Sequence, residues 1–229
     1  MRKVYLLCLM IVFFILGEFV LAANATSVNF ETSICSDDEK EAFIEHINLQ
    51  PVCEDNNEMS IQCFDVHLNG NYALAFGKGS NCNVYVYDPN GVYLYGFRFD
   101  SSGAYGIQFR GDMLEIYFVR GDSIAVIDET ASCIDVQKVL TTRQNLLNER
   151  KLLDCCSKEL NGKTYVLERD LDIGDSYSRF VVINKNGERT VLVDVSTDHT
   201  IQQILLIASL VVIFVITIIG AYHKRNVNQ

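Results

Sequence analysis

NGNYALAFGKGSNCNVYVYDPNGVYLY runs from Asn69 to Tyr95, and its reading decides the fold. Two runs rich in Tyr, Val, Leu and Phe, Tyr72–Phe76 and Asn83–Asp88, stand between turn residues. Asn69-Gly70 and Pro89-Asn90-Gly91 each supply a residue that tolerates positive φ, as a tight link between antiparallel strands requires. The stretch therefore reads as consecutive β-strands and short turns.

The same order recurs twice. RGDMLEIYFVRGDSIAVIDETASCIDV begins at Arg110, and NGKTYVLERDLDIGDSYSRFVVINKNGERTVLV begins at Asn161. Each has a Gly turn, a strand, a loop, a strand ending in Asp or Asn, a turn and another strand. Gly70, Gly111 and Gly162 correspond, as do Asp88, Asp128 and Asn184. A period of about 40 to 50 residues is that of a four-stranded blade. The predicted strands are Ile61–His67, Tyr72–Phe76, Asn83–Asp88, Val92–Phe99, Ala104–Phe109, Met113–Val119, Ser123–Asp128, Lys163–Arg169, Arg179–Asn184 and Arg189–Val195. Val84 and Val86 alternate with Tyr85 and Tyr87, so both faces of that strand are apolar, which fits stacked sheets. The other tyrosines of these strands, Tyr72, Tyr93, Tyr95, Tyr105 and Tyr117, are expected to pack between sheets or to offer binding surface at an open edge.

NVYVYDPNGVYLYGFRF, from Asn83 to Phe99, resembles blades of the NHL and related propeller families, in which a strand ends in Asp, a Gly turn follows and the next strand is aromatic. The resemblance covers about two thirds of the region between the chain's apolar ends. Closed propellers need about four to eight blades. Three repeats imply an open array, one completed by another chain, or a different antiparallel fold. The fold class expected is mainly β, with antiparallel blade-like repeats, a short N-terminal helix and a C-terminal transmembrane helix.

The flanks are helical in pattern. Ser36-Asp37-Asp38-Glu39 is a capping box with acids in the first turn, and Pro51 stops the helix it opens. Val136 to Leu153 has a broken apolar stripe that is weakly helical. At the N-terminus, Arg2 and Lys3 precede an apolar stretch and then Ala22, Ala23 and Ala25, the pattern of a cleaved secretory signal. Ile204 to Ala221 carries no charge, and His223, Lys224 and Arg225 follow it. With its flanks it is long enough to cross a hydrocarbon core of about 30 Å, and the basic residues place the tail in the cytoplasm. The expected organisation is a signal peptide over 1–22, a helical cap over 23–60, a β-repeat ectodomain over 61–196, a transmembrane helix over 197–222 and a tail over 223–229. The bilayer contact is Ile201 to Tyr222, in the cell membrane.

Charge narrows the partners. From Thr26 to Thr200 there are 15 Lys and Arg against 28 Asp and Glu. Such a surface repels phosphate backbones, so nucleic acid is not an expected partner. Seven cysteines lie between the apolar ends: Cys35, Cys53, Cys63, Cys82, Cys133, Cys155 and Cys156. In an exported domain all are candidate disulfide partners, and the odd count leaves one over.

Arg-Gly-Asp occurs at Arg110–Asp112 and again at Arg120–Asp122. Both lie where the repeats place turns, so they read first as tight hairpin turns and only second as adhesion motifs. No nucleophile motif surrounds His46, His67 or His199, and no zinc spacing occurs. Asp170-Leu-Asp-Ile-Gly-Asp175 misses the register of a calcium loop. Neither cofactor nor metal is expected. The function expected is a membrane-anchored module that binds a protein partner or itself, or senses a ligand. A surface hydrolase using loop carboxylates and adhesion through the Arg-Gly-Asp turns are the alternatives.

Overall fold

The computed structural model describes residues 28–56, 59–169 and 177–196. The predicted signal sequence, the predicted span over 197–222, the predicted tail and the Asp170–Asp175 loop lie outside the described residues. No helix among those described is long and apolar enough to cross a membrane.

The fold is mainly β, with two helices and three antiparallel sheets among the described residues. The first sheet is a meander of β3 (Ile61–Val66), β4 (Tyr72–Phe76), β5 (Cys82–Tyr87) and β6 (Tyr93–Phe99). The second is formed by β7 (Tyr105–Arg110), β8 (Met113–Phe118), β9 (Ser123–Ile127) and β10 (Cys133–Val139). The third is formed by β11 (Ser157–Leu160), β12 (Lys163–Glu168), β13 (Arg179–Asn184) and β14 (Arg189–Asp194). Two short strands extend the outer edges. β1 (Thr32–Ile34) pairs with β10, and β2 (Gln50–Val52) pairs with β6. Pro51 lies inside β2, a position an edge strand tolerates because one side of its backbone needs no ladder bond.

The repeat is visible at atomic level in the turn joining the third and fourth strands of each sheet. Gly91, Ala131 and Gly187 each donate their N–H to the carbonyl three residues back, at Asp88, Asp128 and Asn184. Asp88, Asp128 and Asn184 donate in turn to the carbonyls of Val92, Ser132 and Glu188. All three turns need a left-handed residue at the fourth position, where φ is 87° at Gly91, 63° at Ala131 and 82° at Gly187. Asp88 and Asp128 also accept two forward backbone N–H groups through Oδ1. This is why Asp ends these strands.

The first sheet is the middle layer. One face, with Ala73, Ala75, Val84, Val86, Phe97 and Phe99, packs against Ile107, Leu114, Ile116 and Ile127 of the second sheet. The other, with Tyr72, Leu74, Phe76, Tyr85 and Tyr87, packs against Tyr165, Leu167, Phe180 and Val182 of the third. Burial on both faces is what the alternating Val and Tyr pattern predicts. Each such side chain contributes about 1.5–3 kcal/mol when fully buried. The layers thus run second, first, third, whereas the chain order is first, second, third.

That inversion explains the second helix. The chain must leave the outer strand of the second sheet and reach the far side of the first. The connection contains α2 (Arg143–Leu153), whose N-cap Thr142 accepts from the Asn145 N–H. Its Leu152 joins Tyr117, Ile124, Val126 and Val139 on the outer face of the second sheet. No buried apolar cluster among the described residues joins the second sheet to the third, and the sheets do not close into a ring. The stripe predicted as one helix over Val136–Leu153 is broken because it holds two elements, the end of β10 and α2. The first strand of the third sheet begins at Ser157, after the Leu152–Cys156 stretch. The first helix, α1 (Asp37–Ile47), has the predicted capping box, with Ser36 and Glu39 bonded reciprocally.

The expected disulfides are not formed: among the described residues the seven cysteines, Cys35 to Cys156, are all free thiols. Register gives the reason for two pairs. Cys63 faces Ala75, which faces Val84, two residues beyond Cys82. Two strand spacings plus that offset separate the Cα atoms by more than about 9 Å, beyond the roughly 7 Å a bridge can span. Ile34 faces Gln137, so Cys35 is about three residues along from Cys133, a comparable gap. Burial pushes the thiols of Cys63 up to about 12 and of Cys82 and Cys133 up to about 11. They are therefore inert apolar fillers rather than nucleophiles.

Candidate functional site

The first and second sheets diverge at one end of their seam and leave a cleft of about 590 Å³. Turns of both sheets build it. His67, Asn69 and Asn71 come from the β3–β4 turn, Asp112 from β7–β8, and Glu129 and Thr130 from β9–β10. Val86, Leu94, Tyr95 and Phe109 line it with apolar surface.

The rim is acidic. The Thr130 hydroxyl and the Ser132 N–H hold the Asp128 carboxyl below the usual carboxylate range, so it stays charged. Glu129 and Asp112 line the cleft, and the Asp112 side chain is fully exposed. Burial first, then the fields of Glu129, Asp112 and Asp128, push the Tyr95 hydroxyl up to about 12. Of these three carboxylates, Asp112 and Glu129 line the cleft together with Tyr95.

His67 is the basic group of the cleft. Its ring lies 5.2 Å from that of Phe109, and its Nδ1 accepts the Asn69 N–H at 3.4 Å. The proton of the neutral ring therefore sits on Nε2, which faces Asp112 Oδ1 at 4.0 Å. A base beside a carboxylate would serve catalysis if a nucleophile met it. Of the two hydroxyls on residues lining the cleft, that of Thr130 instead donates to Asp128 at 2.7 Å, and that of Tyr95 is pushed up to about 12 and stays protonated. The carboxyls that burial pushes up, Asp65 and Glu115, do not line the cleft. The arrangement is suited to holding a ligand.

Beneath the cleft the inner strands are pinned together. Asp65 on β3 accepts Lys158 Nζ of β11 at 2.5 Å through Oδ1 and the Phe109 N–H of β7 at 2.7 Å through Oδ2. Lys158 also donates to the Val66 carbonyl at 3.1 Å. Burial pushes the Asp65 carboxyl up, against the pull of Lys158. One carboxylate therefore touches all three sheets.

The two Arg-Gly-Asp tripeptides differ. The first closes β7–β8 as a two-residue turn, with Gly111 at φ 60°, and sets Asp112 on the cleft rim. Its Arg110 lies 3.5 Å from Glu115. The second was expected as an equally tight hairpin. It is a longer turn, Val119 to Asp122, because Phe118 pairs with Ser123 across four residues. There Asp122 accepts the Tyr117 hydroxyl at 3.0 Å, and Arg120 donates to the Ser102 carbonyl at 3.4 Å. Of the four residues, only Asp112 lines the cleft.

The sequence points to Asp112 through its Arg-Gly-Asp turn and offers no nucleophile motif around His67. It names Tyr95 only among several tyrosines that could offer binding surface, and it does not find Glu129, Thr130 or Phe109. Glu129 and Thr130 follow Asp128 in the repeated turn, which is the signal that placed them at the same end as the β3–β4 turn. Among the described residues no group of three His, Cys, Asp or Glu is placed to hold a metal ion. No protein-family model matches the chain, and no curated protein matches it in sequence.

Proposed function

We propose that the chain is a membrane-anchored, extracytoplasmic binding domain built from three blade-like repeats, and that its ligand is a segment of a partner protein carrying Lys or Arg next to an apolar side chain. The observation that carries this is the cleft: the carboxylates of Asp112 and Glu129 line one space with Tyr95, Phe109, Leu94 and Val86 as its walls. A cation gains from the carboxylates and from the faces of aromatic rings, and its apolar neighbour gains from the walls. Leu94 is exposed, which extends the apolar surface to the rim. The surface acidity read from sequence would steer such a segment inward. Anchoring through Ile201 to Tyr222 would hold the domain at the outer face of the cell membrane.

The test uses the whole chain in detergent micelles and two synthetic peptides, Leu-Arg-Leu-Lys and its charge-reversed form Leu-Glu-Leu-Glu. The basic peptide should bind, weaken as salt is raised, and lose about tenfold in affinity for each of Asp112→Asn and Glu129→Gln, since one charge contact is worth about 1–2 kcal/mol. Equal binding of both peptides, or no effect of the two substitutions, would overturn the reading.

A further inference from the structure

The segment ahead of α1 is bound like a peptide ligand. Val28 is held by Gln108, whose Oε1 accepts the Val28 N–H at 2.8 Å and whose Nε2 donates to the Val28 carbonyl at 2.7 Å. Three residues on, Asn145 repeats this grip on Glu31, at 2.9 and 2.8 Å. Asn148 donates to the Asn29 carbonyl at 2.6 Å. The Phe30 ring stacks on Tyr117 at 4.9 Å, and Thr32 to Ile34 add to the sheet as β1. The recognition is main-chain bonding with one aromatic anchor, the mode by which sheets take up extended peptides.

The groove is built to be filled. Gln108, Asn145 and Asn148 are 5%, 4% and 6% exposed. Each would lose partners if the segment left, at about 1–3 kcal/mol per unpaired group. Whatever replaces residues 28–34 must offer the same backbone groups and an aromatic ring at the same spacing. A second copy of the segment does so without loss.

The exit of the segment points to such a copy. Ile34, the last residue of β1, is 89% exposed on an edge strand whose outer side faces no other strand. An exposed apolar side chain on an open edge is a pairing site that proteins otherwise cover. Only Cys35 and Ser36 separate it from α1, which is fixed independently by Lys40 on Asp135 at 3.0 Å and by buried Ile47. A short link between two firmly held elements favours exchange between chains. We propose that residues 28–34 exchange between two copies of this chain, each filling the other's groove, with Ile34 covered where the chains cross.

The test is a full-length chain in micelles with Phe30→p-benzoylphenylalanine, irradiated, separated by mass and digested. Exchange requires the linked Phe30-position and Tyr117 peptides in a product of twice the chain mass. Finding that linked pair only at single-chain mass would overturn the proposal, even if the chains associate by their anchors. Light scattering of the unmodified chain guards against a ring that does not fit. It should give a dimer that becomes monomeric in Phe30→Ala, with the fold retained by circular dichroism. An unmodified monomer, or a dimer indifferent to Phe30→Ala, would equally overturn it.

Discussion

The middle sheet has two seams, and they are made differently. Towards the second sheet its central strands β4 and β5 offer Ala73, Ala75, Val84 and Val86, side chains of modest size, with Phe97 and Phe99 of β6 beside them, and the seam opens at one end into a charged cleft. Towards the third it offers Tyr72, Phe76, Tyr85 and Tyr87, aromatic rings that meet Tyr165 and Phe180. Rings at 5.0–5.1 Å, such as Tyr72 on Phe180 and Phe64 on Phe180, interlock across it. The difference teaches that one strand pattern, alternating Val and Tyr, serves two ends: its aliphatic side leaves room for a ligand, and its aromatic side closes on a neighbour.

The largest expected effect falls on the pin between the seams. Asp65→Ala leaves Lys158 buried and unpaired and should cost about 3–5 kcal/mol in urea unfolding. The double change Asp65→Leu with Lys158→Met should cost less than either single loss, because it removes both charges. A double variant as unstable as the single one would show that the pair selects the arrangement of sheets. Next is Gly96→Ala. A methyl there would meet the Val84 carbonyl at 2.7 Å and the Tyr85 ring at 2.8 Å, so overpacking should cost about 1–3 kcal/mol. A neutral result would show that the aromatic seam is looser than its ring spacings imply.

Tyr72→Phe should act in the opposite direction. The Tyr72 hydroxyl is buried without a hydrogen-bond partner, so its removal should raise stability by about 1 kcal/mol. Ala131→Gly should add about 0.5 kcal/mol, since Ala131 holds the left-handed position that glycine fills in the two equivalent turns. Both are read from unfolding midpoints. The smallest effect separates turns from groove by pH. Hydrogen bonds lower the folded pKa of Asp88 and Asp128. Their stabilisation is therefore present above the unfolded value of about 3.9 and lost as pH falls through the folded value. Burial raises Glu115, so its contribution runs the other way and improves as pH falls towards its unfolded value of about 4.3. Unfolding measured from neutral pH downward should show Glu115→Gln flattening the upper part of the profile and Asp128→Asn the lower.

The repeats were legible because their turns are local. Gly70, Gly111 and Gly162, and Asp88 with Asp128, announce themselves by residue type, and Tyr72–Phe76 and Arg179–Asn184 have the predicted bounds. β1 and β2 were not, because three residues carry no alternation and their pairing comes from distant strands. The disulfides were expected from compartment logic that says nothing of register. The layer order was illegible for a related reason: Asp65 and Lys158 lie 93 positions apart, and no local pattern pairs them. The cleft was half legible. Its turn residues were located by the repeat, but their convergence depends on the angle between two sheets.

The inverted layer order sets a problem for synthesis. The middle sheet is complete when Phe99 leaves the ribosome, with apolar side chains on both faces and neither cover yet made. At about 5–20 residues per second, β14 follows roughly 5–20 seconds later. During that interval the sheet is a sticky intermediate, so cellular yield of this protein should depend on whatever shelters residues 61–99 until the chain folds back over them.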